Sequence, residues 1–313
     1  KLSKSHPSYH KNGTKSNSIR SFIIKKAFQF SAIVLSLGIV ITGSTLFYYS
    51  KQIPDIDTIS TYIPAETTKI YSADGVILAE LHSEENRIRI PIDNISPILK
   101  ELVVALEDTN FYNHPGIDIR GIFRALYKDI KARAFVEGGS TLTQQLARNL
   151  FLEKQKKIER KIKEILMAIE IERKYTKIEI LELYLNQVYW GHNSYGIESA
   201  AQLYFGKKSK SLTLAESAGL VGMLKGPELY SPFKQFNRFK KRQKVVLNRM
   251  VSLNLITEEE AEDAFNEQLN LASKKTHRYK AGFFTSYIVD QLLEMFNEET
   301  LYTSGMKIYT TLD

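Results

Sequence analysis

Cysteine is absent from the 313 residues, so no disulfide and no thiolate nucleophile or ligand enters the chemistry. The absence fits exposure to an oxidising compartment without requiring it. Acidic residues are absent from the first 26 positions, which hold seven bases: Lys1, Lys4, Lys11, Lys15, Arg20, Lys25 and Lys26. Of the 43 Lys and Arg, 36 then remain against 35 acids, so the rest of the chain is nearly neutral. This distribution excludes a uniformly basic nucleic-acid binder. Charge of either sign is absent from residues 27–50, a run rich in Ile, Leu, Val and Phe. It exceeds the roughly 20 residues that span a bilayer. The excess of bases on its N-terminal side predicts a cytoplasmic N-terminus. The length of the run, and the lack of a clean small-x-small cleavage site after it, favour a membrane helix over a cleaved signal peptide. Residues beyond Lys51 then face the outer side. No internal repeat occurs.

What is present reads mainly as helix. Residues 1–26 are Ser, Lys and Asn rich and predict a disordered tail. Residues 51–66, with Pro54 and Pro64, read as a linker. Residues 69–73 and 76–81 alternate around Asp74-Gly75, a hairpin signal, and residues 88–90 suggest a third short strand. Helical patterning begins after Pro97. Ile119, Ile122, Phe123, Leu126 and Ile130 fall at helical spacing within 118–134, and Phe135-Val136 after them read by default as core. Residues 153–175 read as one long helix whose core face is Ile158, Ile162, Ile165 and Ile169. Capping boxes open helices at Thr176/Glu179, Thr213/Glu216 and Thr257/Glu260. Further helices are expected at 197–205, stopped by Gly206, and at 240–253, 258–269 and 281–296. A weak strand pattern occupies 306–312.

Three stretches carry chemistry. Leu99, Leu102, Val103 and Leu106 form one apolar helix face, with Ser96 as N-cap and Pro97 at the first helical position. Glu107 lies at the edge of that stripe, where apolar surroundings raise a carboxyl pKa toward that of a general base at neutral pH. Asp108 follows, and His114-Pro115-Gly116 breaks the helix into a loop. Taken alone, the Glu-Asp pair reads first as two solvated acids at a helix end. The second stretch is Gly138-Gly139-Ser140-Thr141, a flexible entry with Ser140 as expected N-cap. Leu142, Leu146 and Leu150 form the buried row, and Thr141, Gln145 and Arg148 share another face. Such an entry favours anions. The third is the basic cluster Lys154, Lys156, Lys157, Arg160, Lys161 and Lys163 around Glu164. It reads either as a solvated face with i,i+4 ion pairs or as a phosphate-binding face. Glu164 would stay ionised there, the opposite setting from Glu107, and carboxylates pushed apart in pKa mark distinct roles.

Five ordered blocks of this chain resemble the peptidoglycan glycosyltransferase domain of class A penicillin-binding proteins. They are Glu107-Asp108-x-x-Phe111-x-x-His114-x-Gly116; Gly139-Ser140-Thr141-x-Thr143-Gln144-Gln145 through Asn149; and Arg160-Lys161-x-x-Glu164. The fourth runs from Tyr184-Leu185-Asn186 through Gly191, Gly196-Ile197 and Ala200-Ala201 to Tyr204-Phe205-Gly206-Lys207. The fifth is Leu214-Ala215-Glu216 through Gly222 with Pro227 and Tyr230-Ser231-Pro232. Arg148 stands where the family often has Lys, and Asn193 where Gly is common.

The resemblance implies a mainly α fold, with a lysozyme-like helical lobe and a small membrane-proximal jaw at 117–139. One transmembrane helix and a short β-hairpin would precede it. The implied organisation is a basic cytoplasmic tail at 1–26, the membrane helix at 27–50, a linker at 51–66 and the glycosyltransferase domain at 67–285. A connection toward a transpeptidase domain would occupy 286–313. The implied reaction polymerises lipid II with inversion and release of undecaprenyl pyrophosphate, on the outer face of the cytoplasmic membrane. Glu107 would be the base, with Asp108, Phe111 and His114 supporting it. Ser140, Thr141, Gln144, Gln145, Arg148, Asn149, Arg160, Lys161 and Asn186 would bind substrate.

By the same resemblance, Glu164 would hold a divalent cation (Mg²⁺ or Mn²⁺) or stabilise charge at the anomeric carbon, and no organic cofactor is expected. The implied partners are lipid II, the growing glycan, membrane lipid and other wall-synthesis proteins, with no nucleic acid. A lysozyme-like hydrolase and a non-catalytic membrane-anchored scaffold are the alternatives. No Lys-Thr-Gly motif occurs and Ser8-x-x-Lys11 lies in the tail, so no peptide cross-linking is expected.

Overall fold

A computed structural model describes residues 14–53, 67–81, 86–132, 138–151, 157–272 and 281–313. Residues 1–13 of the predicted tail, residues 54–66 of the linker, Phe135-Val136 and the basic residues Lys154 and Lys156 lie outside the described residues. The chain forms two compact units, 1–53 and 54–313.

The first unit is the helix α1, Thr14–Ser50, which starts inside the tail expected to be disordered, so residues 14–26 extend the apolar helix rather than precede it as coil. Its segment Phe28–Ser50 has a mean hydropathy of 2.0 and is long and apolar enough to cross a membrane. It is apolar all round, as a lipid-facing helix must be.

The second unit is mainly helical with a small sheet at one end. Strands β1 (Thr68–Tyr71) and β2 (Ile77–Leu81) pair antiparallel. Gly75 supplies the positive φ of 81° that their turn requires. The late strand β5, Lys307–Tyr309, joins β1 in parallel register, so the sheet order is β2-β1-β5. Helices α11 (Gly282–Met295) and α12 (Glu298–Thr303) cover this sheet. Their Leu292 and Leu301 pack with Ile70, Leu78, Ala79 and Leu81. The expected third strand forms earlier than residues 88–90. It is β3, Asn86–Arg87, parallel to β4, Ser194–Tyr195. Ile90 instead exchanges backbone hydrogen bonds with the Asn186 side chain.

The helical lobe is built around α8, Leu214–Met223, from Ala215 onward buried on every side. It packs against α2 (Pro97–Glu107) and α9 (Pro232–Ser252). The approach of α9 is close enough that a Cβ on Gly219 would stand 2.2 Å from the Phe239 ring. Helices α4 (Leu142–Phe151), α5 (Lys157–Lys174) and α6 (Lys177–Gln187) form a second packed group. Helices α7 (Ile197–Phe205) and α10 (Glu258–Asn266) complete the lobe. All three expected capping boxes are present, with Thr176, Thr213 and Thr257 each bonded to the N3 glutamate.

The expected core face of α5 is wrong. Ile158 is 80% exposed and Ile169 is also exposed, while Glu164, Met167, Ala168 and Ile171 are buried. Helix α5 offers two apolar rows at the same period, and packing on α4 and α6 selects the one that contains the carboxylate. Helix α3, Ile119–Ala132, leaves Ile119, Ile122, Phe123, Tyr127 and Ile130 exposed on its outer face.

Candidate active site

Helix α2 ends at Glu107, and Asp108 leaves helical geometry with φ −157° and ψ 73°. The turn that follows is heavily tied. Asp108 accepts the backbone N–H of Leu142 at 2.9 Å and lies 2.9 Å from His114 Nε2. The N–H of Gly116 donates to His114 Nδ1 at 3.2 Å, which assigns the ring proton to Nε2 and makes it the donor to Asp108. Thr141 Oγ1 donates to the Gly116 carbonyl at 2.6 Å, and Lys177 Nζ donates to the His114 carbonyl at 2.7 Å. Lys177 also lies 4.5 Å from the centroid of the buried Phe111 ring. Gly116 has φ +88°, and a Cβ there would meet the Ala168 carbonyl oxygen at 2.9 Å, so glycine is required.

The N-cap of α4 differs from expectation. Thr141 and Asp108 cap it: Thr141 Oγ1 accepts from the N–H of Gln144 at 3.2 Å, and Asp108 takes the N–H of Leu142. Ser140, one position too early to cap, instead accepts from Lys161 Nζ at 2.8 Å.

Two carboxylates are linked to successive residues of α4, Glu107 directly to Gln145 and Glu164 through Lys161 to Gln144. Glu107 is half-buried, and its Oε2 accepts from Gln145 Nε2 at 2.9 Å. Tyr184, fully buried on α6, donates to the other end of that amide, Gln145 Oε1, at 3.2 Å. Burial pushes the Tyr184 hydroxyl well above its ordinary pKa, so it remains a donor. Burial likewise raises the Glu107 pKa. The Gln145 hydrogen bond and the charges of Arg242 and Arg148 oppose that rise, and Asp108 adds to it.

Glu164, by contrast, is buried and lies 3.3 Å from Arg160 Nε and 3.1 Å from Lys161 Nζ. Lys161 also donates to Gln144 Oε1 at 2.9 Å. Gln144 Nε2 and Arg160 Nε are buried and make no hydrogen bond. They are two donors held in place beside a carboxylate that is already paired.

A metal held by side chains alone does not fit this donor set, and the expected cation at Glu164 would need the substrate's phosphates as its other ligands. Glu164 is flanked by two cations, and no group of three His, Asp or Glu side chains able to hold a metal occurs among the described residues.

The remaining predicted residues divide. Arg148 is half-buried and acts electrostatically on Glu107, and Asn149 is exposed at the far end of α4. Phe111 is buried as packing beneath the loop. Asn186 has its amide engaged by Ile90 and by the Glu182 carbonyl. Among the described residues, no hydrogen bond joins Asn186 to either glutamate. Sequence reasoning missed Tyr184 as the group that orients Gln145, and Arg242 and Arg249 on α9. The two arginines are seven residues apart, hence on one helix face, which is a signal that the lysines around Arg242 hid.

Comparison with known proteins gives one family. The model described as transglycosylase matches residues 74–251. Penicillin-binding protein 1A of Rickettsia typhi is 38% identical over 287 residues, covering 90% of this chain and 36% of that protein. The protein of the same name from Vibrio cholerae is 39% identical over 294 residues, covering 93% of this chain and 35% of its own length. That of Aquifex aeolicus is 41% identical over 285 residues, covering 88% and 38%. The chain therefore spans little more than a third of these relatives. The crystal structure of penicillin-binding protein 1A from Haemophilus influenzae aligns with 79% of this chain and 26% of its own, at 26% identity and a TM-score of 0.47.

Proposed function

The chain belongs to the transglycosylase family, and from that premise we propose that it is a peptidoglycan glycosyltransferase of cell-wall synthesis. It polymerises lipid II into β-1,4-linked glycan and releases undecaprenyl pyrophosphate. One observation carries the reading: two carboxylates of opposite character are linked to neighbouring residues of α4. Glu107 is raised toward protonation by burial, and Glu164 is held between Arg160 and Lys161. Such a pair suits one proton acceptor and one fixed charge.

In the proposed step the acceptor's 4-hydroxyl gives its proton to Glu107 while its oxygen attacks the anomeric carbon of the lipid-linked donor. The bond to the diphosphate oxygen breaks with its electron pair, and configuration inverts. Gln145, oriented by Tyr184, holds Glu107 in its rotamer. Arg148, Arg160 and Lys161 meet the charge on the departing diphosphate. Glu164 keeps its two cations aimed and stabilises positive charge at the anomeric carbon. A lysozyme-like hydrolase has no diphosphate to hold, so the Arg160–Glu164–Lys161 cluster favours transfer over hydrolysis. The span in α1 and the apolar outer face of α3 support work at a membrane that carries the lipid-linked substrate, with the N-terminus inside and the lobe outside. Residues 67–285 are the catalytic region in this reading.

The test is chain elongation on labelled lipid II by detergent-purified protein. Glu107→Gln is expected to reduce elongation by on the order of 10²–10⁴-fold, the usual worth of a positioned base, with an unchanged circular dichroism spectrum. Full polymerisation by that variant removes the assignment.

A further inference from the structure

We infer that Arg249 is a positioning residue for Glu107, a strut from α9 that fixes the last turn of α2 on both sides of the carboxylate. The inference rests on the base role proposed for Glu107.

Arg249 Nη2 donates to Thr109 Oγ1 at 3.0 Å. Thr109 Oγ1 donates in turn to the Ala105 carbonyl at 3.2 Å, and Arg249 Nε reaches that same carbonyl at 3.5 Å. The three groups close a ring that joins the backbone carbonyl two residues before Glu107 to the side-chain hydroxyl two residues after it. Ala105 carries one of the last carbonyls of α2, which lack the intrahelical partner that interior carbonyls have. A guanidinium satisfies such a group and opposes the negative end of the helix dipole.

Packing alone does not hold this turn. A cavity of about 640 Å³ opens beside it, lined in part by Val104, Ala105, Thr109, Tyr112 and Leu253. One side of the last turn of α2 therefore borders open space, while its buried face packs on α8 and α9. A carboxylate on a turn that rocks into that space loses its alignment with the acceptor hydroxyl, and misplacement by about 1 Å can cost about 10²-fold in rate. Arg249 is half-buried, so its fork can hold the turn while its outer edge stays in water.

The experiment compares the full chain in detergent with Arg249→Ala, Thr109→Val and the double variant, measuring kcat and KM on labelled lipid II. Arg249→Ala is expected to lower kcat about tenfold, within the range for misaligned catalytic groups, with KM unchanged. Thr109→Val, at an exposed position that leaves the fold intact, is expected to lower kcat less. The double variant should be no slower than Arg249→Ala, because both substitutions break the same ring. Arg249→Lys should recover part of the loss. Unchanged kcat in both single variants, or losses that multiply in the double variant, overturns the inference. Glu107→Gln measured alongside separates the two readings. If it is inactive while Arg249→Ala is fully active, the strut fails and the base stands. If it polymerises normally, the base reading has failed first.

Discussion

Asp108 accepts the backbone N–H of Leu142 at 2.9 Å, so the residue immediately after Glu107 caps the helix that carries Gln144 and Gln145. One side chain thereby registers the first carboxylate against its hydrogen-bond partner. The Asp108 carboxylate also accepts a hydrogen bond from His114 Nε2, which ties the loop after α2 into that register.

Replacing Asp108 with Ala removes both interactions at once. The loss of the cap alone is expected to cost about 1–2 kcal/mol, read from the urea midpoint. Asp108→Asn keeps an acceptor for the Leu142 N–H and should recover most of that stability. A wild-type midpoint in Asp108→Ala would show that Thr141 caps α4 unaided.

Arg242 moderates the rise in the Glu107 pKa that burial causes. As a base, Glu107 works only when ionised, and burial raises its pKa, so polymerisation should increase with pH along an acidic limb above the ordinary glutamate range. Arg242 is one of the charges that oppose that rise. Arg242→Gln should therefore move the limb to higher pH, in a profile of kcat/KM against pH. A limb that stays in place would place Arg242's charge too far from the carboxylate to matter.

Tyr184→Phe tests the orientation of Gln145. The hydroxyl is buried and bonds only one end of the amide, so its removal leaves shape and packing intact. The amide then becomes able to turn its oxygen toward Glu107. Loss of one neutral hydrogen bond, about 1 kcal/mol, predicts about a fivefold fall in kcat, measured on lipid II, with little change in thermal midpoint. A larger loss of stability than of rate would mark Tyr184 as a core residue first.

Local patterns were legible in the sequence wherever a few neighbouring residues decide the outcome. The three Thr–Glu capping boxes, the Asp74-Gly75 turn and the Gly206 stop each depend on one turn of chain, and each stands as read. Glu107, Gln145, Lys161 and Glu164 are candidates from the order of their blocks, and the fold joins Glu107 to Gln145 and Lys161 to Glu164. What escaped depends on contacts between distant segments. Asp108 caps a helix 34 positions away, so Ser140 looked like the better candidate from local pattern alone. The isoleucines of α5 matched a core row as well as Met167, Ala168 and Ile171 do, and only the neighbouring helices distinguish the two. Arg249 stands alone as a charge among mostly apolar residues late in α9, and its role needs Thr109 beside it.

The small sheet has a mechanical consequence. Because β1 and β5 run parallel and in register from Lys69↔Lys307 to Tyr71↔Tyr309, tension applied between the start of β1 and the end of β5 pulls the strands past each other. Their hydrogen bonds then bear load together instead of opening one by one. The force path crosses from one strand to the other and bypasses the helices between them, so a tug on this unit need not disturb the alignment of its carboxylates.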